Sequence, residues 1–247
     1  MGEPPLERHA RLMMESLGKR FGVRVVLDRS LERGAVYNPI RKVIRYNPGR
    51  IIRDSGGDPN YVIYIFFHEL AHKEQFERCP NLVRKIRNTH AVLRRWGLSV
   101  DLISTMIEAL FHAQLDGNFF GDMLPDEYKE TCLRIRRRVL EEEYSFFNLV
   151  ARLYTVIVLE SPRDRELFLS NAIIDLTSYG LPLGREEEMD KLIRERFPRF
   201  YGFYEDWKNI LREAMSSKDP CIIESLLDKL KDIILKHNIH RYIREGM

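Results

Sequence analysis

Apolar residues recur at helical spacing along most of the chain, with one interval of strand-like character near its start. Over residues 5–19, Leu6, Ala10, Met13, Met14 and Leu17 fall on one side and Gly18 stands near the stop, which predicts a helix. Three short runs rich in Val, Ile and Tyr follow: Val23–Leu27, Ala35–Asn38 and Lys42–Tyr46. Gly or Asn-Pro breaks separate them, so they predict strands. Asn47-Pro48-Gly49 is expected to end the third, and Ser55-Gly56-Gly57-Asp58-Pro59 reads as a turn. Gly56-Gly57 is no phosphate loop, because no Lys-Ser/Thr follows. Asp58 is the expected N-cap, with Pro59 at the first helical position, of a helix to about Glu77 that Cys79-Pro80 closes.

Beyond Pro80 the pattern predicts helices only, over 81–96, 99–120, 126–159, 163–179, 185–197, 203–217 and 219–238. Gly97, Gly121, Ser161-Pro162, Gly180-Leu181-Pro182, Phe197-Pro198 and Asp219-Pro220 punctuate them. No repeat or low-complexity tract interrupts them. The expected fold class is α+β: a small core over residues 1–122, then an all-α extension over 123–247.

A length of 247 residues fits one or two domains. With 44% apolar and 31% charged residues, the chain is not disordered, collagen-like or a disulfide scaffold. Its three cysteines are far apart and form no CxxC pair, which argues for a reducing compartment and against a cysteine-held metal. The first residues lack the apolar core of a signal peptide. The runs Tyr61–Phe67 and Phe146–Leu159 fall short of the ~18 residues that span a bilayer. A soluble cytoplasmic protein with no membrane partner is expected.

The net charge of +3 divides into +9 over residues 1–100 and −6 over 101–247. The basic front could attract an acidic partner, but a basic face docking on an acidic helical half explains it as well. A preference for Arg over Lys and a scarcity of Gln fit a thermophile. Arg134-Ile135-Arg136-Arg137-Arg138 precedes Glu141-Glu142-Glu143, so it reads as an ion-paired, solvated helix face rather than a nucleic-acid site. Nucleic acid is not an expected partner. His237 and His240 are expected at the surface. Phe197, Phe200, Tyr201, Phe203, Tyr204 and Trp207 are expected to form a packing cluster.

The chemistry concentrates in His68-Glu69-Leu70-Ala71-His72. Residues four apart share a helix face, about 6 Å along its axis, so two imidazoles so placed can hold one zinc at about 2.0–2.1 Å. Glu69, one residue after the first histidine, reaches the metal's water and suits a general base. At this composition an HExxH is expected by chance only about 0.02 times in the chain, so a pair of histidines merely satisfied in a helix core is the weaker reading.

A catalytic zinc needs a third protein ligand. Gln75 and Arg78 stand where the extended motif HExxHxxGxxH would have Gly and His, so the ligand must come from elsewhere. Over residues 99–121, Asp101, Thr105, Glu108, His112 and Asp116 fall within about 80° on a helical wheel, and most of the remaining circumference is apolar. Such a stripe suggests an interior site. Glu108 would complete a His-His-Glu set. His112 would complete a His-His-His set, with Asp116 one turn on to accept an imidazole N–H. Asp116 itself and His90 are more remote candidates.

With its strands and HELAH helix, the chain resembles the gluzincin branch of zinc metallopeptidases over roughly residues 5–120. KVIRYNPGRI is similar to the strand and turn before the active-site helix of that group, and YVIYIFFHELAHKEQF to the helix itself. The resemblance implies a zincin-like core of helix, three-stranded sheet, HExxH helix and second ligand helix. It implies Zn2+ on His68 and His72, Glu69 as catalytic base, and a peptide or protein substrate. The second helix departs from the group's pattern, since Glu108/His112 or His112/Asp116 stand four apart rather than Glu/Asp.

The strand around Val43–Tyr46 is the expected sheet edge for pairing with an extended substrate. Tyr128, Tyr144, Tyr154 and His112 are candidate donors to the tetrahedral oxyanion. The C-terminal helices could cap the cleft, restrict substrates to peptides or mediate homo-oligomerisation. Two alternatives stand beside a general peptidase: a regulatory peptidase of ImmA/IrrE type acting on one protein partner, and a metal-binding interaction module that does not cleave.

Overall fold

The computed structural model describes residues 3–154 and 160–245, the Asn118 side chain excepted. In chain order the elements are α1 (Pro5–Arg20), β1 (Val25–Leu27), β2 (Ala35–Asn38), β3 (Val43–Tyr46), α2 (Pro48–Asp54), α3 (Tyr61–Arg78), α4 (Leu82–Arg95) and α5 (Val100–Gln114). A π-helical segment (Leu115–Phe119) leads to α6 (Phe120–Met123), α7 (Asp126–Leu153) and α8 (Pro162–Phe168). A second π-helical segment (Leu169–Asp175) then leads to α9 (Leu176–Gly180) and α10 (Glu186–Arg196). After a 3-10 turn (Pro198–Phe200) come α11 (Tyr201–Ser216), α12 (Ile222–Lys236) and α13 (Ile239–Glu245). The layout is α+β, mostly helical with a small mixed sheet. Among the described residues no helix is long and apolar enough to cross a membrane.

The chain divides into two compact units, Met1–Pro80 with Phe120–Arg136, and Asn81–Phe119 with Arg137–Met247. The boundary expected at 122–123 falls inside the second segment of the first unit. The end of the helix expected over 126–159 lies outside the described residues.

In the first unit, α1 buries Ala10, Met14, Leu17 and Gly18, one stripe at helical spacing. A Cβ on Gly18 would meet the Val23 carbonyl at 2.8 Å and Val25 Cγ1 at 2.9 Å, so the glycine lets the helix end approach the sheet. The sheet order is β1-β3-β2, with β1 parallel and β2 antiparallel to β3. Val43, Ile44 and Tyr46 are buried, as a central strand requires.

This order corrects the expectation for Val43–Tyr46. That strand is bonded on both sides and has no edge to offer a substrate, whereas β2 is an edge strand and packs on α3. Two turn residues define the hairpin: Asn38 Oδ1 accepts the Ile40 and Arg41 amides at 3.1 and 2.9 Å, and Lys42 takes φ 51°.

Asn47-Pro48-Gly49 ends β3 as expected but also starts a helix. Asn47 Oδ1 caps the Gly49 and Arg50 amides, and Pro48 occupies the first turn. α3 starts at Tyr61, and Asn60 rather than Asp58 is its N-cap. Asp58 Oδ1 instead accepts the Asn60 amide at 2.9 Å. Phe66 and Phe67 are fully buried, each contributing about 1.5–3 kcal/mol, and with Phe21 and Tyr128 they form the aromatic core of this unit. Cys79, just past α3, is disulfide-bonded, unlike the free thiols expected in a reducing compartment.

In the second unit, Ser99 Oγ caps α5 through the Leu102 amide at 3.1 Å. The helix buries Leu102, Ile103, Met106, Ile107, Leu110 and Phe111, mainly against α11. The helix expected over 99–120 breaks at Gly117, whose ψ is −141°. A Cβ there would stand 1.9 Å from the Met215 carbonyl oxygen, so only glycine fits.

Phe168 meets Phe197 and Phe200 at 5.0 and 5.1 Å, and Phe200 meets Tyr242 at 4.8 Å, which makes the aromatic group a packing cluster as expected. Arg165 donates to the Ile243 carbonyl from Nε and Nη2 at 2.9 and 2.8 Å, which anchors the C-terminal helix. His237 and His240 are half-buried rather than on the surface. His237 Nε2 bonds Asp206 at 2.7 Å, and the His240 ring lies 6.5 Å from Trp96.

Candidate metal centre

In the first unit, α3 carries His68 and His72 on one face, as a spacing of four requires. The rings stand nearly perpendicular, at 87°, with centroids 4.8 Å apart. Their Nε2 atoms face each other at 3.2 Å. Two nitrogens bound at 2.0–2.1 Å and subtending a tetrahedral angle lie about 3.3–3.4 Å apart, so the pair is spaced to share one ion.

The other nitrogen of His72, Nδ1, meets Gln75 Oε1 at 2.8 Å. An amide oxygen only accepts, so Nδ1 carries the proton and Nε2 presents its lone pair. Burial, with the Arg136 and Arg33 charges adding to it, lowers the His72 pKa to about 4. The ring is therefore neutral, as a ligand must be, far below neutral pH. These donors fit a tetrahedral ion of zinc type.

Glu69 is buried, and its Oε2 accepts the Tyr37 amide of β2 at 2.6 Å. The Tyr64 ring lies 5.8 Å from that of His68, and its hydroxyl accepts from Arg136 Nη1 at 3.1 Å. Arg136 is only 7% exposed, so it departs from the solvated face expected of the arginine run. Its neighbour Arg137 follows that expectation, pairing with Glu141 at 3.1 Å. Sequence reasoning missed Tyr64 and Arg136; the signal for Tyr64 was its place four residues before His68, on the same helix face.

In the second unit the polar stripe of α5 is half-buried. Thr105, Glu108, His112 and Asp116 line a cavity of about 190 Å3 with Asp175, Ser178 and Tyr179. Asp101 is exposed and does not join them. Asp116 and Asp175 both sit in π-helical segments, which re-aim side chains relative to a regular helix. Burial raises the Asp175 pKa to about 7, with Glu143 and Glu108 adding to the rise. Asp175 was not among the expected site residues. Its signal was a lone acid in the apolar stretch Ala172–Leu176. His90 lies on α4, and burial with the Arg94 charge lowers its pKa.

The tyrosines expected as oxyanion donors make the following contacts. The Tyr128 hydroxyl accepts from Arg20 at 2.8 Å. Tyr144 is buried and its pKa is raised, first by burial and then by Glu188. Tyr154 packs edge-on against Phe168. No known protein family, curated protein or solved structure matches the chain.

Proposed function

We propose that the protein is a zinc-dependent peptidase of zincin type. The ligands on α3 are His68 and His72, the third is His112 by its place on the polar stripe of the sequence, and Glu69 is the general base. The observation that carries this reading is the pair of Nε2 atoms facing each other at 3.2 Å on the HExxH helix. His112 is preferred to Glu108 because three imidazoles are a donor set of hydrolytic zinc. The order helix, small sheet, HExxH helix and further helices supports a zincin-like core.

Such an ion, when bound, supplies Lewis acidity to a water and to a peptide carbonyl. Glu69 takes the water's proton and passes it to the leaving amine. The Tyr37 amide anchors this carboxylate to β2. An extended peptide would lie along β2, the edge strand on the α3 side of the sheet. Tyr64, carrying the Arg136 guanidinium, is the proposed donor to the oxyanion.

One observation favours a second reading, a metal-holding module that does not cleave. The bond from the Tyr37 amide gives Glu69 a structural role that needs no catalysis. Glu69→Gln separates the two readings, because a glutamine side chain can still accept the Tyr37 amide. The peptidase reading expects this variant to fold and keep zinc while hydrolysis of peptides or candidate protein partners falls by 100-fold or more. Unchanged hydrolysis, or none in the wild type with zinc bound, favours the module.

A further inference from the structure

We infer that Gln75 is a positioning residue for the metal: by accepting the Nδ1 proton of His72 it fixes that ring's tautomer and aims Nε2 at the ion. This rests on the metal-centre reading above and adds a residue outside the HExxH motif. Gln75 follows His72 by three positions, so the two share a helix face. It is fully buried, and its Oε1 lies 2.8 Å from Nδ1. A buried long amide is costly unless hydrogen-bonded, so the position is built around the bonds it makes.

An imidazole without an acceptor at Nδ1 can place its proton on Nε2, and that form cannot ligate through Nε2. Gln75 removes that alternative and limits ring rotation. A neutral amide also adds no charge to the buried site. A carboxylate at the same place would accept the same proton while making the imidazole a stronger donor.

The test compares Gln75→Leu, Gln75→Met and Gln75→Glu with the wild type in the full chain. Zinc affinity is read by competition with a chromophoric chelator, ligand geometry from the visible spectrum of the Co2+-loaded protein, and folding from circular dichroism. Gln75→Leu should lower zinc affinity about 10–100-fold and alter the Co2+ spectrum, while Gln75→Glu restores both. Gln75→Met, unbranched like glutamine, replaces the leucine variant if that one fails to fold. A merely structural role would move the melting temperature of both kinds of variant without this split in affinity. Wild-type affinity in the folded leucine or methionine variant overturns the inference alone. So does a folded Gln75→Glu protein that binds as weakly as the leucine variant. A wild type that takes up no ion overturns the metal-centre reading and this inference together.

Discussion

The Tyr37 amide donates to Glu69 Oε2 at 2.6 Å, joining the edge strand of the sheet to the residue beside the first histidine of the HELAH helix. The bond is buried, so its loss has a measurable cost. Glu69→Ala leaves the Tyr37 N–H without this acceptor and should destabilise the protein by about 1–3 kcal/mol in urea unfolding. Glu69→Gln should cost less. Equal stability of the two variants would remove the structural role of this carboxylate.

Two perturbed groups, one in each unit, give opposite pH slopes. The His72 pKa is lowered to about 4, so between pH 4 and 6.5 the unfolded chain binds more protons at this residue and stability rises with pH. The Asp175 pKa is raised to about 7 from an ordinary value of 3.8, so in that window the folded chain binds more protons and stability falls as pH rises. Each slope reaches at most about 1.4 kcal/mol per pH unit. Urea unfolding in the presence of chelator should therefore find Asp175→Asn gaining on the wild type as pH rises towards 7. His72→Gln should gain on it as pH falls from 6.5 towards 4. A constant offset at all pH values would contradict either assignment.

Gly117 breaks the run from α5 into α6 under the Met215 carbonyl. Gly117→Ala must displace backbone rather than a flexible side chain, and should cost about 3 kcal/mol or more. Thermal melting checks this. A melting temperature within a degree or two of the wild type would show that the two segments separate easily.

Elements whose local signals all agreed were legible in the sequence. β2 occupies the expected residues Ala35–Asn38, because a β-rich run ends on an Asn that makes its own turn. The same Asn-Pro signal at 47–48 both stops a strand and caps a helix, and only the capping bonds reveal α2. HELAH fixed which two imidazoles share a helix face. It could not assign a job to Gln75, which in sequence only marks where the longer motif fails. The order of strands in the sheet depends on pairing at long range, so the edge fell to β2 rather than Val43–Tyr46. Asp175 was hidden because a π-helical turn shifts it out of helical register.

Metal content separates a zinc-holding protein from one that binds no ion. Wild type, His68→Ala, His72→Ala, Glu108→Ala and His112→Ala are loaded with zinc, desalted and measured by mass spectrometry against protein concentration. The wild type and Glu108→Ala should hold about one equivalent, while the three histidine variants, folded by circular dichroism, hold almost none. A wild type without stoichiometric metal, or full occupancy in His68→Ala, would mean that the two imidazoles of α3 do not hold an ion together.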